Sequence, residues 1–162
     1  MPSIRFTVFS FVTRRFTGFR RVWLLTQAFD FSLDLLTLAT APSVTRGIKE
    51  LIKTVRDWPD VRVSKHPLGG TQFNCRDTEL GHVHSNGVVD IRLTASEQLD
   101  VLTRGLAHRH HVAPKSTWVT FFIEKYEDKD PAVSLLTIPF KRVTTQAQTP
   151  PASESPTEEF VP

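Results

Sequence analysis

An Asn-Gly pair at positions 86 and 87, flanked on both sides by alternating residues, constrains this chain more than any other feature. A two-residue type I′ turn needs positive φ at both central positions, and Asn and Gly tolerate it best. Residues 81–85 and 88–93 are therefore predicted as paired antiparallel strands within the stretch ELGHVHSNGVVDIRL. With Asn86 and Gly87 as the whole loop, Ser85 faces Val88, His84 faces Val89, Val83 faces Asp90 and His82 faces Ile91. Opposed residues share a sheet face. This register groups His82 and His84 with Val89, Ile91 and Leu93 and turns Asp90 and Arg92 away; a one-residue slip would reverse it.

The flanking segments supply a sheet and its helices. Ile48, Leu51, Ile52 and Val55 recur at i, i+3, i+4 and i+7, one stripe of a helix that Pro42-Ser43 opens and Trp58-Pro59 ends. Val61 and Val63 alternate with polar residues in a short strand, 66–70 reads as a loop, and Thr71 to Cys75 alternates again. Thr94-Ala95-Ser96-Glu97 fits a capping box, and Leu99, Leu102 and Leu106 form the buried stripe expected of the helix it opens. After a histidine-dense connection at 108–114, STWVTFFI reads as a covered strand, with Val119, Phe121 and Ile123 on one face and Trp118, Thr120 and Phe122 on the other. Asp130-Pro131 opens a last short helix that Pro139 is expected to end. The order predicts an α+β fold: one small sheet, antiparallel or mixed, with helices packed on one face.

The chain has 162 residues, enough for one domain with a single core. Its net charge of +3 invites a nucleic-acid reading, but the charge is unevenly placed. The first 21 residues carry five arginines and no acid, and the last 20 carry three glutamates and no base, which leaves 15 basic and 14 acidic residues between them. A nearly neutral middle argues against nucleic acid as the partner. One cysteine, Cys75, excludes an internal disulfide framework and fits a reduced intracellular compartment, the cytoplasm first. Residues 1–40 read as a basic and apolar leader. Its start has the composition of a transit peptide or a basic membrane-surface helix, which would place the protein in mitochondria or at a membrane periphery, and equally that of a poorly ordered segment. Gln27, Asp30 and Asp34 interrupt the apolar run at 22–41 and argue against a membrane span. The folded unit is expected at 41–142, and a disordered tail rich in Pro, Thr, Ser and Glu at 143–162.

All six histidines fall between His66 and His111. The His82-x-His84 spacing puts two imidazoles on one strand face, roughly 6 to 7 Å apart at the Cα atoms. They could ligate a metal with His110, His66 or Glu79 as a third group. They could equally supply a neutral, basic nitrogen for proton transfer, with Arg109 stabilising an oxyanion. Or they could be core histidines bonded to backbone.

Glu79-Leu80-Gly81-His82-Val83-His84, then Gly105 followed by Arg109-His110, then Trp118 in a β-rich run, resembles the luciferase domain of fungal bioluminescence proteins over roughly 57–142. The resemblance implies a small planar aromatic or hydroxypyrone-type ligand. It also implies an oxygenase with no cofactor and no metal, since the fungal enzymes oxidise 3-hydroxyhispidin with molecular oxygen. A base removes an enol proton and a dry pocket protects the peroxide formed. Extended to this chain, it makes His82 or His84 the base, Arg109 and His110 the anion stabilisers, and Glu79 and Trp118 the substrate-binding pair, with Trp118 as a wall. The competing classes are a non-catalytic binding or interaction module, then a metal-dependent enzyme, then a nucleic-acid binder. The C-terminal half is also similar, faintly, to the MmcQ-like α+β family, some of whose members are discussed as DNA binders; that bears on the fold more than on function.

Overall fold

The computed structural model describes residues 37 and 40–146. The expectations for the leader, and for the tail beyond Gln146, lie outside the described residues. Helix α1 spans Pro42–Arg56, with proline in its first turn where a missing N–H costs nothing. It buries Val44, Ile48, Leu51 and Val55. Strands β1 (Val61–Lys65), β2 (Thr71–Cys75), β3 (Thr78–Val83) and β4 (Val88–Arg92) follow, then helix α2 (Ala95–Thr103). Next come a two-residue strand β5 (His108–Arg109), strand β6 (Trp118–Phe122), a 3₁₀ turn at Tyr126–Asp128 and helix α3 (Lys129–Gln146). The six strands form one antiparallel sheet in the order β1-β2-β3-β4-β6-β5. The fold is α+β, and no helix among the described residues is long and apolar enough to cross a membrane.

Alternation along each strand splits the sheet into two unlike faces. On one, Phe73, Cys75, Val83, Val89, Ile91 and Val119 pack into a single core with α1 and with Ala132, Leu135 and Leu136 of α3. The other face carries the polar set, including His82, Asp90 and Thr120 opposite one another across β3, β4 and β6.

The hairpin forms, but one residue out of the expected register. Val83 pairs with Val89, His82 with Asp90 and Gly81 with Ile91. The loop holds three residues, not two: Gly87 N–H donates to His84 O at 3.0 Å and His84 N–H to Val88 O at 2.8 Å. Gly87 alone carries the positive φ, at 91°. This is a turn followed by a left-handed glycine, the usual three-residue hairpin connection. Two anchors select it: the Gly87 carbonyl accepts from Ile123 N–H at 2.8 Å, and the buried Asn86 accepts from Val88 N–H through Oδ1. The slip turns His82 and His84 away from Val89 and Ile91 and toward Asp90.

Two helices also depart from the expectation. The capping box of α2 is present, with Glu97 N–H donating to Thr94 Oγ1 and Thr94 N–H to Glu97 Oε2. Its buried residue, however, is Val101, while Leu99 and Leu106 are exposed. Gln98 sets that rotation by donating to the carbonyls of Ser116 and Trp118 at 2.8 and 3.0 Å. Helix α3 does not end at Pro139 but runs through it to Gln146, beyond the expected start of the tail. Pro139 forgoes one helical hydrogen bond. Packing compensates: Leu135, Leu136 and Pro139 are buried, Phe140 lies on Trp58 with ring centroids 4.7 Å apart, and Arg142 reaches Glu97 and the Arg92 carbonyl.

Candidate functional site

The polar face of β3, β4 and β6 gathers most of the chemistry-bearing side chains into one network. Its centre is Asp90, only 1% exposed. A carboxylate so deep must be hydrogen-bonded and charge-compensated. Thr120 Oγ1 donates to Asp90 Oδ1 at 2.5 Å. Three imidazole nitrogens stand around the same carboxylate: His82 Nε2 at 3.5 Å and His110 Nε2 at 3.6 Å from Oδ2, and His111 Nδ1 at 3.5 Å from Oδ1. Burial opposes ionisation of Asp90, but His111 and His82 outweigh it and hold the carboxyl well below the usual range.

A β-bulge brings in a second carboxylate. Phe73 pairs with Gly81, yet Asn74 pairs with Glu79, so Leu80 is an extra residue in β3. Without it, Glu79 and His82, three apart, would point to opposite faces; with it they share one. Glu79 Oε1 lies 2.9 Å from His82 Nδ1. Burial disfavours the charged form of His82, but the Asp90 and Glu79 carboxylates facing its two nitrogens prevail and carry its pKa from 6.5 to about 9. Two carboxylates facing one imidazole require a positive charge there.

His66 and His110 are held neutral, and backbone groups fix their tautomers. His66, on the loop between β1 and β2, stacks on His82 with centroids 3.8 Å apart. Its Nδ1 accepts from Leu68 N–H at 3.2 Å, which leaves the proton on Nε2. Burial, with His82 and His84 beside it, lowers its pKa to about 4. His110 Nδ1 accepts from the N–H groups of Val112 and Ala113 at 3.2 and 2.9 Å, so its Nε2 also carries the proton, aimed at Asp90. Burial lowers its pKa as well. His84 is buried and stands edge-on to His82, with centroids 5.2 Å apart. Trp118 closes one side, its ring 5.4 Å from His82 and 6.2 Å from His110.

Of the residues singled out in the sequence, Glu79, His82, His84, His110 and Trp118 come together. Arg109 does not. It pairs with Val119, on the side of the ladder away from His82, and is exposed at the sheet edge. A two-residue strand at 108–109 causes this, because alternation sends His108 and His110 to one face and Arg109 to the other. Asp90, Thr120 and His111 were not singled out. Thr120 was legible as a face-mate of Trp118, but Asp90 was hidden by the assumed register.

Among the described residues, three groups of donors could hold a metal ion: His66, Glu79 and His82; His82, His84 and Asp90; and Asp90, His110 and His111. In each, one donor atom per residue lies within 4.8 Å of the others.

No curated protein and no solved structure matches the chain. Residues 77–138 match the family model of the Luciferase domain. That span begins in the turn before β3, ends inside α3 and takes in Glu79, His82, His84, Asp90, His110, His111, Trp118 and Thr120. Nearly all of the histidine face lies inside the segment that is similar to the Luciferase domain.

Proposed function

We propose that the protein binds a small planar hydroxylated aromatic, of the hydroxypyrone or catechol type, on the histidine face and oxidises it with molecular oxygen. The observation that carries this reading is the convergence of Glu79, His82, His84, His110 and Trp118 on one sheet face, the first, fourth and fifth half-buried and His82 and His84 buried, within the segment similar to the Luciferase domain.

The Trp118 ring is a flat apolar wall beside polar groups, the surface a planar ring with hydroxyl substituents needs. Backbone bonds at Nδ1 fix the His66 and His110 rings and turn their Nε2–H groups toward Glu79 and Asp90, so the polar edge beside Trp118 is held without reorganising. A protonated His82 is no base, and that role passes to His84. Loss of an enol or phenol proton leaves an electron-rich anion able to reduce oxygen, and the buried site keeps water from the oxygenated product. Arg109 has no part in this scheme.

Oxygen uptake by the purified chain with hydroxypyrones and catechols tests the reading, alongside ligand binding measured by calorimetry. Uptake that falls at least tenfold in His84→Ala supports it. Equal uptake in wild type and variant would remove the catalytic assignment, and binding without uptake would assign a binding module instead.

A further inference from the structure

We propose that His82 Nε2, His84 and Asp90 Oδ2 form a two-histidine, one-carboxylate site for a divalent transition-metal ion, with Glu79 orienting His82 from behind. The expectation drawn from resemblance was the opposite, an enzyme without metal; the geometry of the pair at the centre points to a cation. His82 Nε2 stands 3.5 Å from Asp90 Oδ2. An N–H···O bond has its mode near 2.9 to 3.0 Å, and this contact exceeds the usual range. Two donors sharing one tetrahedral ion, each about 2.0 to 2.2 Å from it, lie roughly 3.3 to 3.6 Å apart.

Tautomers choose among the three possible donor groups. An imidazole that ligates through Nε2 must carry its proton on Nδ1 and donate it. His66 and His110 do the reverse, since Nδ1 accepts backbone N–H in both. That removes the groups containing His66 and His110. His82 has the required arrangement: Nδ1 faces Glu79 Oε1 at 2.9 Å, leaving Nε2 for the ion. The carboxylate is supported in the same way. Thr120 Oγ1 occupies Asp90 Oδ1, and the His110 Nε2–H points at Oδ2 from 3.6 Å. Hydrogen bonds that orient a ligating imidazole and a ligating carboxylate from behind are the habit of metal sites.

The strands make the group by register. His82 is opposite Asp90, and His84 lies two residues further along the same face. Charge agrees: once His82 gives up a proton to ligate, the face holds the two negative charges of Glu79 and Asp90, which a divalent ion balances. Two imidazoles and a carboxylate favour a first-row ion such as Fe²⁺, Co²⁺ or Zn²⁺ over Mg²⁺ or Ca²⁺. Three protein donors leave positions open. Two adjacent oxygens of a hydroxypyrone or catechol could fill them, the ion then acidifying the hydroxyl in place of His84 as base; that last step rests on the ligand reading above, while the metal site does not.

The test is a Co²⁺ titration of the full chain after treatment with chelator, followed by visible ligand-field absorption and by elemental analysis after dialysis. No organic ligand is present, so its outcome is separate from that of the oxygen-uptake experiment. The expected result is one Co²⁺ per chain, displaced by Zn²⁺. Affinity should fall at least a hundredfold in His84→Ala and in Asp90→Asn, and about 10- to 100-fold in Glu79→Gln. His108→Ala, an exposed histidine outside the group, should bind as wild type does. Circular dichroism establishes that each variant is folded, and His84→Ala decides alone if Asp90→Asn is not. Folded wild-type protein that takes up no stoichiometric Co²⁺, or a folded His84→Ala that binds it equally well, would overturn the proposal.

Discussion

Glu79 and His82, three residues apart in one strand, meet at 2.9 Å because the strand carries an extra residue between them. The bulge at Leu80 is held in place by what surrounds it. Leu80 is fully buried, and Gly81 lies against β4 so closely that an added Cβ would sit 2.4 Å from the Asp90 carbonyl oxygen and 3.1 Å from Leu136 Cδ2. Gly81→Ala must therefore push β3 off β4 or off α3. The expected loss is about 1–3 kcal/mol, measured by urea denaturation, with ligand or metal affinity falling in parallel because His82 moves with the strand. Unchanged stability would mean that the sheet yields there freely.

Thr120 tests how much Asp90 depends on its donors. Thr120→Val keeps the shape and removes the hydroxyl that donates to Oδ1. A buried carboxylate deprived of one donor should cost about 1–3 kcal/mol. Thr120→Ser retains the hydroxyl and should recover most of the difference. Equal denaturation midpoints for the Val and Ser variants would show that the bond contributes nothing.

Arg109 separates resemblance from geometry. The motif resemblance makes it an anion stabiliser, yet it is exposed and paired with Val119 beyond the edge of the histidine face. Arg109→Ala should change ligand affinity or oxygen uptake by less than about threefold, a shift under roughly 0.7 kcal/mol at RT of 0.59 kcal/mol. Under the same assay His84→Ala should lose at least tenfold. A loss in Arg109→Ala as large as that in His84→Ala would restore the arginine to the site.

What the sequence made legible was local. The α1 stripe through Ile48, Leu51 and Val55, the Thr94–Glu97 capping box and the two faces of β6 each depend on residues within a turn or two. The hairpin was legible and its register was not, because a loop of two or three residues was decided by Ile123, 36 positions after Gly87. The bulge at Leu80 left no mark of its own in the sequence, so Glu79 was a candidate without a reason to meet His82. In α2, leucines at 99, 102 and 106 suggested the wrong face because Gln98 bonds to a strand formed later in the chain. Propensity also placed the end of α3 at Pro139, where burial against the core carries the helix on. Each miss is a tertiary contact overriding a local rule.

The clasp between α2 and α3 gives a prediction in pH. Burial works against the charged form of Glu97, but Thr94 backbone N–H and the Arg142 guanidinium outweigh it and hold the carboxyl below its ordinary 4.5. A carboxyl depressed on folding stabilises the native state fully above its unfolded pKa, and that contribution is lost as pH falls through the folded value. Stability should thus decline below about pH 4.5 in part because Glu97 takes up a proton and releases both partners. Arg142 is the long-range partner: it bonds Glu97 Oε2 and donates to the Arg92 carbonyl at the end of β4. Arg142→Ala should lose about 1 kcal/mol at pH 7 and show a shallower acid limb, since Glu97 then titrates closer to 4.5 in both states. Glu97→Gln should flatten the same limb and lose the ion pair, while the Thr94 cap persists in part through the amide oxygen. Melting temperatures across pH 3 to 7 for the three proteins decide it; parallel curves would show that the clasp is not among the groups that set acid stability.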